Sequence, residues 1–359
     1  MRYVVDYTHS SIVQEDMIRI TEQLRTKLQR MKGCSILITG SNGMIGNYIA
    51  QSIRFANDTF LSNKPIQLYL VSRTKPPNKA KSSYIHFLQG DIALLQFPSK
   101  HIDYMIHAAS TTAPKYYMMH PVDTLQANVL GFHNVLSKAT QKTKGILFLS
   151  SSEVYGNVHS KRKIKEDVLG ITDQTNSRSS YIESKRFCET MATAYHQEYQ
   201  YHTKIARLFH TFGPGINMSD GRVFSDFIKD AITGDQIHIT GDKRIKRAFL
   251  YLSDAVIMLL NILFSGIDGE IYNVGNDNNI ASIYDFAAIV AYEAGDLFNK
   301  DITVKYAKSN SKYFQKAVQI IIPDISKFKK HFSYTPAVTL KQACKRTLLH
   351  YKECNAVTE

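Results

Sequence analysis

Residues 35–46 constrain the fold of this chain more than any other stretch. Ser35-Ile36-Leu37-Ile38-Thr39 is a short apolar, β-branched run, as a buried parallel strand would be. It passes directly into Gly40-Ser41-Asn42-Gly43-Met44-Ile45-Gly46, and a helical pattern follows through residues 45–55. Glycine is needed where the backbone turns tightly and where it must approach a pyrophosphate closely. The helix after such a turn offers its first amides to phosphate oxygens. Three spaced glycines alone are common and fit a plain structural turn. Between an apolar strand and a helix they point to a dinucleotide cradle.

The alternation continues. Gln67–Val71, Ile85–Leu88, Tyr104–His107, Gly145–Leu149 and Thr203–Arg207 read as further strands, with helical stretches near 122–140 and 181–199. Strand and helix in turn predict an α/β fold, a Rossmann-type doubly wound parallel sheet. After residue 213 the pattern becomes irregular, with short helices and loops, as expected of a smaller C-terminal α/β domain that covers a substrate. Residues 1–32 read as a helical extension, with Ile12, Met17, Ile20, Leu24, Leu28 and Met31 at helical spacing, packed on the domain surface.

Composition narrows the class. The 359 residues are 44% hydrophobic and 21% charged, which excludes a disordered or fibrous chain. No apolar run is long enough to span a membrane, and no secretory leader is visible. Cys34, Cys188, Cys344 and Cys354 are far apart without a CxxC pair, which argues against zinc or a disulfide framework and suits a reducing cytoplasm. The formal net charge is +13. That admits nucleic acid, anionic membrane or small polyanions, but no nucleic-acid motif accompanies it. The densest runs, Lys161–Lys165 and Lys243–Arg247, read mostly as solvated surface.

An NAD-type site wants an acidic residue at the end of the second strand, to hold the adenosine ribose. Here that place is Val71-Ser72-Arg73-Thr74, where Arg73 can meet a 2′-phosphate, so NAD and NADP both stay open. Asp91, with Ile92, ends the third strand and faces the adenine or caps a helix.

Tyr181-Ile182-Glu183-Ser184-Lys185 is a YxxxK, with both side chains on one helix face. A lysine ammonium there lowers the tyrosine pKa toward neutrality. One helix earlier, a strand ends in Leu149-Ser150-Ser151-Ser152-Glu153, at the edge where a doubly wound sheet binds ligands. A serine hydroxyl there suits a substrate hydroxyl, and Glu153 suits an acid or base, against the plainer reading of a surface carboxylate.

At these residues the chain resembles the extended short-chain dehydrogenase/reductases that act on nucleotide sugars. The likeness spans about residues 33–350. It rests on the glycine turn, His107-Ala108-Ala109-Ser110, Ser151-Ser152-Glu153-Val154-Tyr155-Gly156, YxxxK and Phe212-Gly213-Pro214. Within that family it is most similar to UDP-glucuronate decarboxylases. The strings that carry this are Asn217-Met218-Ser219-Asp220-Gly221-Arg222-Val223, Arg247-Ala248-Phe249-Leu250-Tyr251-Leu252-Ser253-Asp254, and Pro114, Tyr117-Met118 and Pro121 after Ala108-Ala109-Ser110.

The resemblance implies roles. Tyr181 is the base on the sugar 4-hydroxyl, Lys185 its partner and ribose ligand, and Ser151, Ser152 and Glu153 the neighbouring active-site positions. The cofactor contacts are Gly40, Asn42, Gly43, Met44, Ile45, Gly46, Ser72, Arg73, Asp91, Ile92, Ala108, Ala109, Ser110, Asn128, Ser150, Tyr181 and Lys185, with Asn128 the structural asparagine of the proton-relay region. His210, Arg222, Val223 and Arg247 are implied for substrate, the arginines on a diphosphate. The implied division is an N-terminal helical extension over 1–32, an NAD(P)-binding Rossmann domain over 33–212 with a return segment near 248–281, and a nucleotide-sugar domain over 213–247 and 282–359. A homodimer through the helices near 122–140 and 181–199 and a UDP-sugar substrate are implied as well, with no metal, nucleic acid or membrane partner. Two places depart from the pattern. His210 stands where the family usually has an asparagine, and Ile171–Ser180 does not match the decarboxylase string. The imidazole at 210 either packs under the loop or replaces an amide ligand of the substrate, gaining charge near pH 6–7 where a nearby diphosphate favours the charged form.

Oxidation at C4 admits three outcomes: loss of carbon dioxide from a uronate, loss of water from a hexose, or simple 4-epimerisation. Ser152-Glu153, in place of an Asp-Glu pair, favours decarboxylation. Dehydration, epimerisation and a non-catalytic nucleotide-binding regulator are the alternatives.

Overall fold

Alternating apolar side chains on each strand of a parallel sheet serve two cores at once. In β1 (Ser35–Thr39), Ile36 and Ile38 point into one core and Leu37 into the other. The computed structural model describes residues 5–75, 82–158, 162–307 and 320–356. Lys161 of the first basic run and residues 1–4, 308–319 and 357–359 of the outer segments lie outside these ranges.

The main sheet has seven parallel strands in the order β10-β6-β5-β4-β1-β2-β3. Besides β1 these are β2 (Gln67–Ser72), β3 (Ile85–Gln89), β4 (Tyr104–His107), β5 (Gly145–Ser151), β6 (Thr203–Leu208) and β10 (Ile271–Val274). The order reverses between β1 and β4, which opens a crevice at the carboxyl edge.

Helices cover both faces. The amino-terminal α1 (Ser11–Gln23) and α2 (Arg25–Arg30), and α3 (Met44–Thr59), pack in the core that holds Ile36 and Ile38. On the other face, after the short α4 (Pro114–Met119), α5 (Pro121–Lys138) and α6 (Ser179–Tyr199) pack against each other.

Beyond residue 213 the irregular sequence pattern folds into the expected smaller α/β part, more regular than short helices and loops. α7 (Val223–Thr233), α8 (Leu252–Ser265), α9 (Ile283–Phe298), α10 (Ser326–Phe332) and α11 (Leu340–Ala356) alternate with strands. β7 (His210–Phe212) and β9 (Lys246–Tyr251) join β11 (Ile280–Ser282) and β13 (Ile320–Ile321) in a second sheet, and β8 (Gln236–Thr240) pairs with β12 (Thr303–Ala307). Every residue of α8 from Leu252 to Leu263 is buried, so it lacks the polar face that makes a helix legible in sequence.

The amino-terminal helices are more than a surface appendage. Met17 and Ile20 are wholly buried. Asp16, 1% exposed, accepts hydrogen bonds from Tyr48 Oη (2.5 Å) on α3, Tyr251 Oη (2.7 Å) at the end of β9 and Arg346 Nη2 (3.0 Å) on α11. Arg19 pairs with the buried Asp254 of α8. One carboxylate thus ties α1 to α3, to the end of β9 and to α11.

Removing one member of a buried charged network leaves its partners uncompensated, at a cost of about 3–5 kcal/mol. Asp16→Ala is therefore expected to destabilise the chain by roughly that amount, read as a lower urea midpoint at unchanged slope. A shift under about 1 kcal/mol would mean that α1 is dispensable.

Candidate active site

The crevice at the β1/β4 switch deepens into a cavity of about 1550 Å³. Its first wall is the glycine turn. Gly40 has φ +67°, and a Cβ there would stand 2.7 Å from the Ala108 carbonyl oxygen. Gly43 is the N-cap of α3 without a side-chain hydrogen bond, so the first amides of the helix stay open to a ligand. Met44, Ile45 and Gly46 line the same wall, with Asn42, Ser72, Arg73, Asp91 and Ile92 beside them, and Ala108, Ala109 and Ser110 opposite. Ser110 Oγ is shielded from solvent and has no hydrogen-bond partner. Open helix amides, a turn without room for side chains and an unused hydroxyl fit the pyrophosphate and ribose of a dinucleotide.

Ser150, Ser151, Ser152, Glu153, Tyr181 and Lys185 meet at the cavity centre. Strand β5 delivers Ser150 and Ser151, the 3₁₀ turn Ser152–Tyr155 carries Ser152 and Glu153, and α6 carries Tyr181 and Lys185. Tyr181 is 6% exposed and its ring stacks on Tyr117, centroids 5.1 Å apart. Burial pushes its phenol up to about 12; the Ser151 hydrogen bond and Arg222 oppose this, and Glu153 adds to it. Lys185 Nζ donates to the Leu149 carbonyl (2.8 Å) and lies 4.8 Å over the Phe148 ring. Burial pushes this ammonium down to about 8. The expected lysine-lowered tyrosine is thereby corrected for the chain by itself: desolvation is the largest cause, and Ser151 and Arg222, not Lys185, oppose it.

Glu153 is not a loose surface carboxylate. Arg178 Nη2 donates to its Oε2 at 2.6 Å, while its amide donates to Ser151 Oγ (3.2 Å). Sequence reasoning passed over Arg178, although it lies three residues before Tyr181, inside the stretch that matched the decarboxylase string poorly.

His210, Arg222, Val223 and Arg247 line the other end. Arg222 is held by Asp220 through Nε (2.7 Å) and Nη2. His210 Nδ1 is shielded and without a hydrogen-bond partner. Burial, with Arg247, Arg222 and Arg178 nearby, pushes its imidazole down to about 3. The imidazole expected to charge near pH 6–7 is therefore neutral there, because three cations and a dry site oppose the proton.

Two residues stand apart from the expected contacts. Asn128 does not line the cavity; its Nδ2 donates to Ser184 Oγ (2.8 Å) and its carbonyl accepts from the Cys188 thiol, so it braces α6 from behind. Ser150 lines the cavity, but its hydroxyl is donated to Glu189 (2.6 Å). Among the described residues no group of His, Cys, Asp or Glu could hold a metal ion, no helix is long and apolar enough to cross a membrane, and no cysteine is in a disulfide.

The sequence matches the model of the NAD dependent epimerase/dehydratase family over residues 36–275, from the first strand of the main sheet to the last. UDP-glucuronic acid decarboxylase 1 of Xenopus tropicalis is 33% identical over 254 residues, 70% of this chain and 57% of that protein, so the match spans little more than half of the relative. UDP-glucuronic acid decarboxylase 6 of Arabidopsis thaliana is 29% identical over 315 residues, 86% of this chain and 85% of that protein. An epimerase of Methanothermobacter thermautotrophicus shares the fold with a TM-score of 0.78 at 22% identity, covering 94% of this chain and 96% of the other. The chain belongs to the NAD dependent epimerase/dehydratase family.

Proposed function

We propose that this chain binds a nicotinamide dinucleotide and a UDP-sugar in the one cavity, oxidises the sugar at C4 and releases carbon dioxide from a carboxylate on C5. Similarity to two UDP-glucuronic acid decarboxylases supports the reaction class. The observation that carries it is the Glu153–Arg178 ion pair beside Tyr181. Dehydration needs an acid for the leaving hydroxyl. Position 152 is a serine, and the neighbouring carboxylate is engaged by a guanidinium and acts as an acceptor. The same guanidinium suits a sugar that brings its own carboxylate.

A nicotinamide dinucleotide, which the glycine turn, Ser110 and Lys185 would hold in the crevice, would supply a hydride acceptor for C4 and the same hydride for the ketone that remains. Tyr181, oriented by Ser151, takes the C4 hydroxyl proton. The 4-ketone that results stands β to the C5 carboxylate. The bond from C5 to the carboxylate carbon then breaks, carbon dioxide leaves, and the electron pair passes into an enolate, which takes a proton from water at C5 to restore the 4-ketone. Arg222 and Arg247 hold the diphosphate, with His210 a neutral hydrogen-bonding neighbour. Lys185 turns its remaining protons to the ribose.

On this reading residues 33–212, with the return near 248–281, carry the dinucleotide, and 213–247 with 282–359 cover the sugar. Exposed Val122, Leu125 and Leu130 on α5 and Phe187 on α6 support a homodimer through that helix pair. Four cysteines outside any disulfide suit a cytoplasmic setting.

The test is a panel of nucleotide sugars with added dinucleotide, read by product mass. A loss of about 44 from UDP-glucuronate is expected by the stoichiometry of decarboxylation, and Tyr181→Phe should lower its rate about a hundredfold or more. A loss of about 18, or no change of mass, would replace the reading with dehydration or epimerisation.

Arg178→Ala should lower kcat/KM on the carboxylated sugar about tenfold to a hundredfold, with Arg178→Lys recovering part. Equal rates would remove Arg178 from the site.

For His210 the expected pH behaviour follows from its neutral state. KM should show no His210-dependent step between pH 6 and 8, so His210→Asn leaves the shape of that profile as it is. Stability differs. The unfolded imidazole takes up its proton near 6.5 and the folded one only near 3, so stability is present above about 6.5 and is lost as pH falls toward 3. His210→Asn should lose less stability than the parent between pH 6.5 and 4, measured by urea titration at each pH.

A further inference from the structure

Helix α1 lines no part of the cavity, yet its polar side chains reach elements that carry both ends of it. Tyr48 lies one turn into α3, the helix whose open first amides face the dinucleotide. Tyr251 ends β9, and strand alternation puts it on the same face as Arg247 and Phe249, which line the sugar end. Both tyrosines are wholly buried, and both hydroxyls donate to one oxygen, Asp16 Oδ2, at 2.5 and 2.7 Å. The other oxygen, Oδ1, accepts from Arg346 Nη2 (3.0 Å).

This tie is anchored on both sides. One turn along α1, Arg19 Nη1 donates to Ser253 Oγ (2.8 Å) and Nη2 to Tyr334 Oη (3.0 Å), and Arg19 pairs with Asp254, just past β9. Asp254 Oδ2 accepts in turn from the Ala337 and Val338 amides (3.1 and 3.0 Å). Ahead of α1, Asp6 accepts from Arg54 Nη1 (3.0 Å), and Tyr7 Oη donates to Asp58 Oδ2 (2.5 Å) in the last turn of α3. The extension therefore holds α3 near both ends and β9 at its exit. Packing alone does not call for a carboxylate at 16. Val13, Met17 and Ile20 already bury the apolar face of α1, and an apolar side chain would avoid desolvating a charge. What the carboxylate adds is direction, one oxygen that two hydroxyls from opposite ends of the cavity must both meet.

We infer that Asp16 is a positioning residue: through the Tyr48 and Tyr251 hydroxyls it sets the dinucleotide cradle at a fixed distance from the strand that carries Arg247, so that nicotinamide and sugar meet correctly aligned. The inference rests on the two-ligand reading of the cavity and adds what holds the two ligands to each other. When the tie is cut, each ligand keeps its own contacts, and the fit between them is lost. Such fit is steep in distance, since a displacement of about 1 Å set far from the chemistry can cost about a hundredfold.

The test uses Tyr48→Phe, Tyr251→Phe and the double variant, which remove the hydroxyls and keep the rings. NADH is titrated calorimetrically into nucleotide-free protein, and UDP and UDP-glucuronate into the NADH-loaded form. That pairing does not react, because oxidation at C4 needs the oxidised cofactor. UDP reaches only the arginine end, whereas the sugar of UDP-glucuronate extends to Ser151 and Tyr181 across the cavity. In the parent chain UDP-glucuronate should bind about tenfold tighter than UDP or better. In each variant that advantage should fall about threefold or more, with NADH and UDP affinities within about twofold of the parent. The double variant should lose no more than the worse single one, because a tie cut at either end is cut. Ile20→Val, a core truncation on the same helix, should lower the urea midpoint and keep the advantage. An advantage that survives in the tyrosine variants or vanishes in Ile20→Val, losses that add, or NADH and UDP affinities that fall in parallel would overturn the inference, leaving Asp16 a stability element and both ligand readings standing. Equal binding of UDP and UDP-glucuronate by the parent chain would overturn the proposed substrate, and the inference with it.

Discussion

The close approach of the turn after β1 to the turn after β4 admits no side chain. A Cβ on Gly40 would stand 2.7 Å from the Ala108 carbonyl oxygen, and one on Gly46 2.5 Å from the Gly40 carbonyl oxygen. Neither neighbour is the flexible end of a side chain, so a substitution at either place moves backbone. β1 and β4 pair in register from Ile36 and Tyr104 to Thr39 and His107, and the two chains leave that ladder side by side. Thr39 Oγ1 joins them, contacting His107 Nδ1 (3.1 Å) and accepting from the Ala109 amide (3.1 Å). Spreading these turns would break that link, tilt the amino end of α3 and close or misalign the crevice. The cavity is therefore a consequence of two missing side chains.

Ionisable groups at the cavity centre sit in surroundings that disfavour their charge. Lys185 has a carbonyl and an aromatic face as neighbours. Glu189 nearby is engaged by three contacts from Arg207 and one from Ser150. His107, beneath the same sheet edge, is wholly buried between Phe132 and Phe148 and is pushed down to about 3. Such groups gain most from a ligand that restores hydrogen bonds without admitting water. Binding and activation are thus coupled: a ligand that gives the Lys185 ammonium further acceptors in the crevice raises it from about 8, and a cation held there favours the Tyr181 phenolate over the buried phenol.

What the sequence made legible is what local pattern controls. Apolar runs located β1 to β6, and the glycine turn and YxxxK located the two walls of the cavity, because each depends on spacing within one or two elements. α8 escaped because uniform burial erases periodicity. The Asp16 network escaped because its members, at positions 16, 48, 251 and 346, are brought together only by the tertiary fold. Arg178 escaped for a similar reason: its partner Glu153 is 25 residues away. Asn128 was placed by likeness alone, and the fold puts it behind α6 because its amide meets Ser184 on the neighbouring helix. The tyrosine–lysine pair was legible as geometry and misread as energetics, since desolvation is a property of the packed site and has no local signature.

Net charge of +13 is diffuse in sequence and placed in the fold. In the run from Lys243 to Arg247, Arg244 is largely exposed and pairs with Asp242, Lys246 faces solvent, and Arg247 reaches the cavity wall. Strand alternation makes that division, since neighbours on β9 point to opposite faces. Arg247 arrives where α7 begins with Arg222 and the loop before α6 brings Arg178, and the three act together on one imidazole. Gathering cations around a buried neutral histidine is unfavourable in isolation. Asp220 on Arg222 and Glu153 on Arg178 offset part of the repulsion and hold the guanidinium forks in position. The remainder is relieved by an incoming anion, and ordered forks lose little entropy in meeting a diphosphate. The repulsion that keeps His210 neutral is thus the same field that draws a nucleotide diphosphate to this end of the cavity.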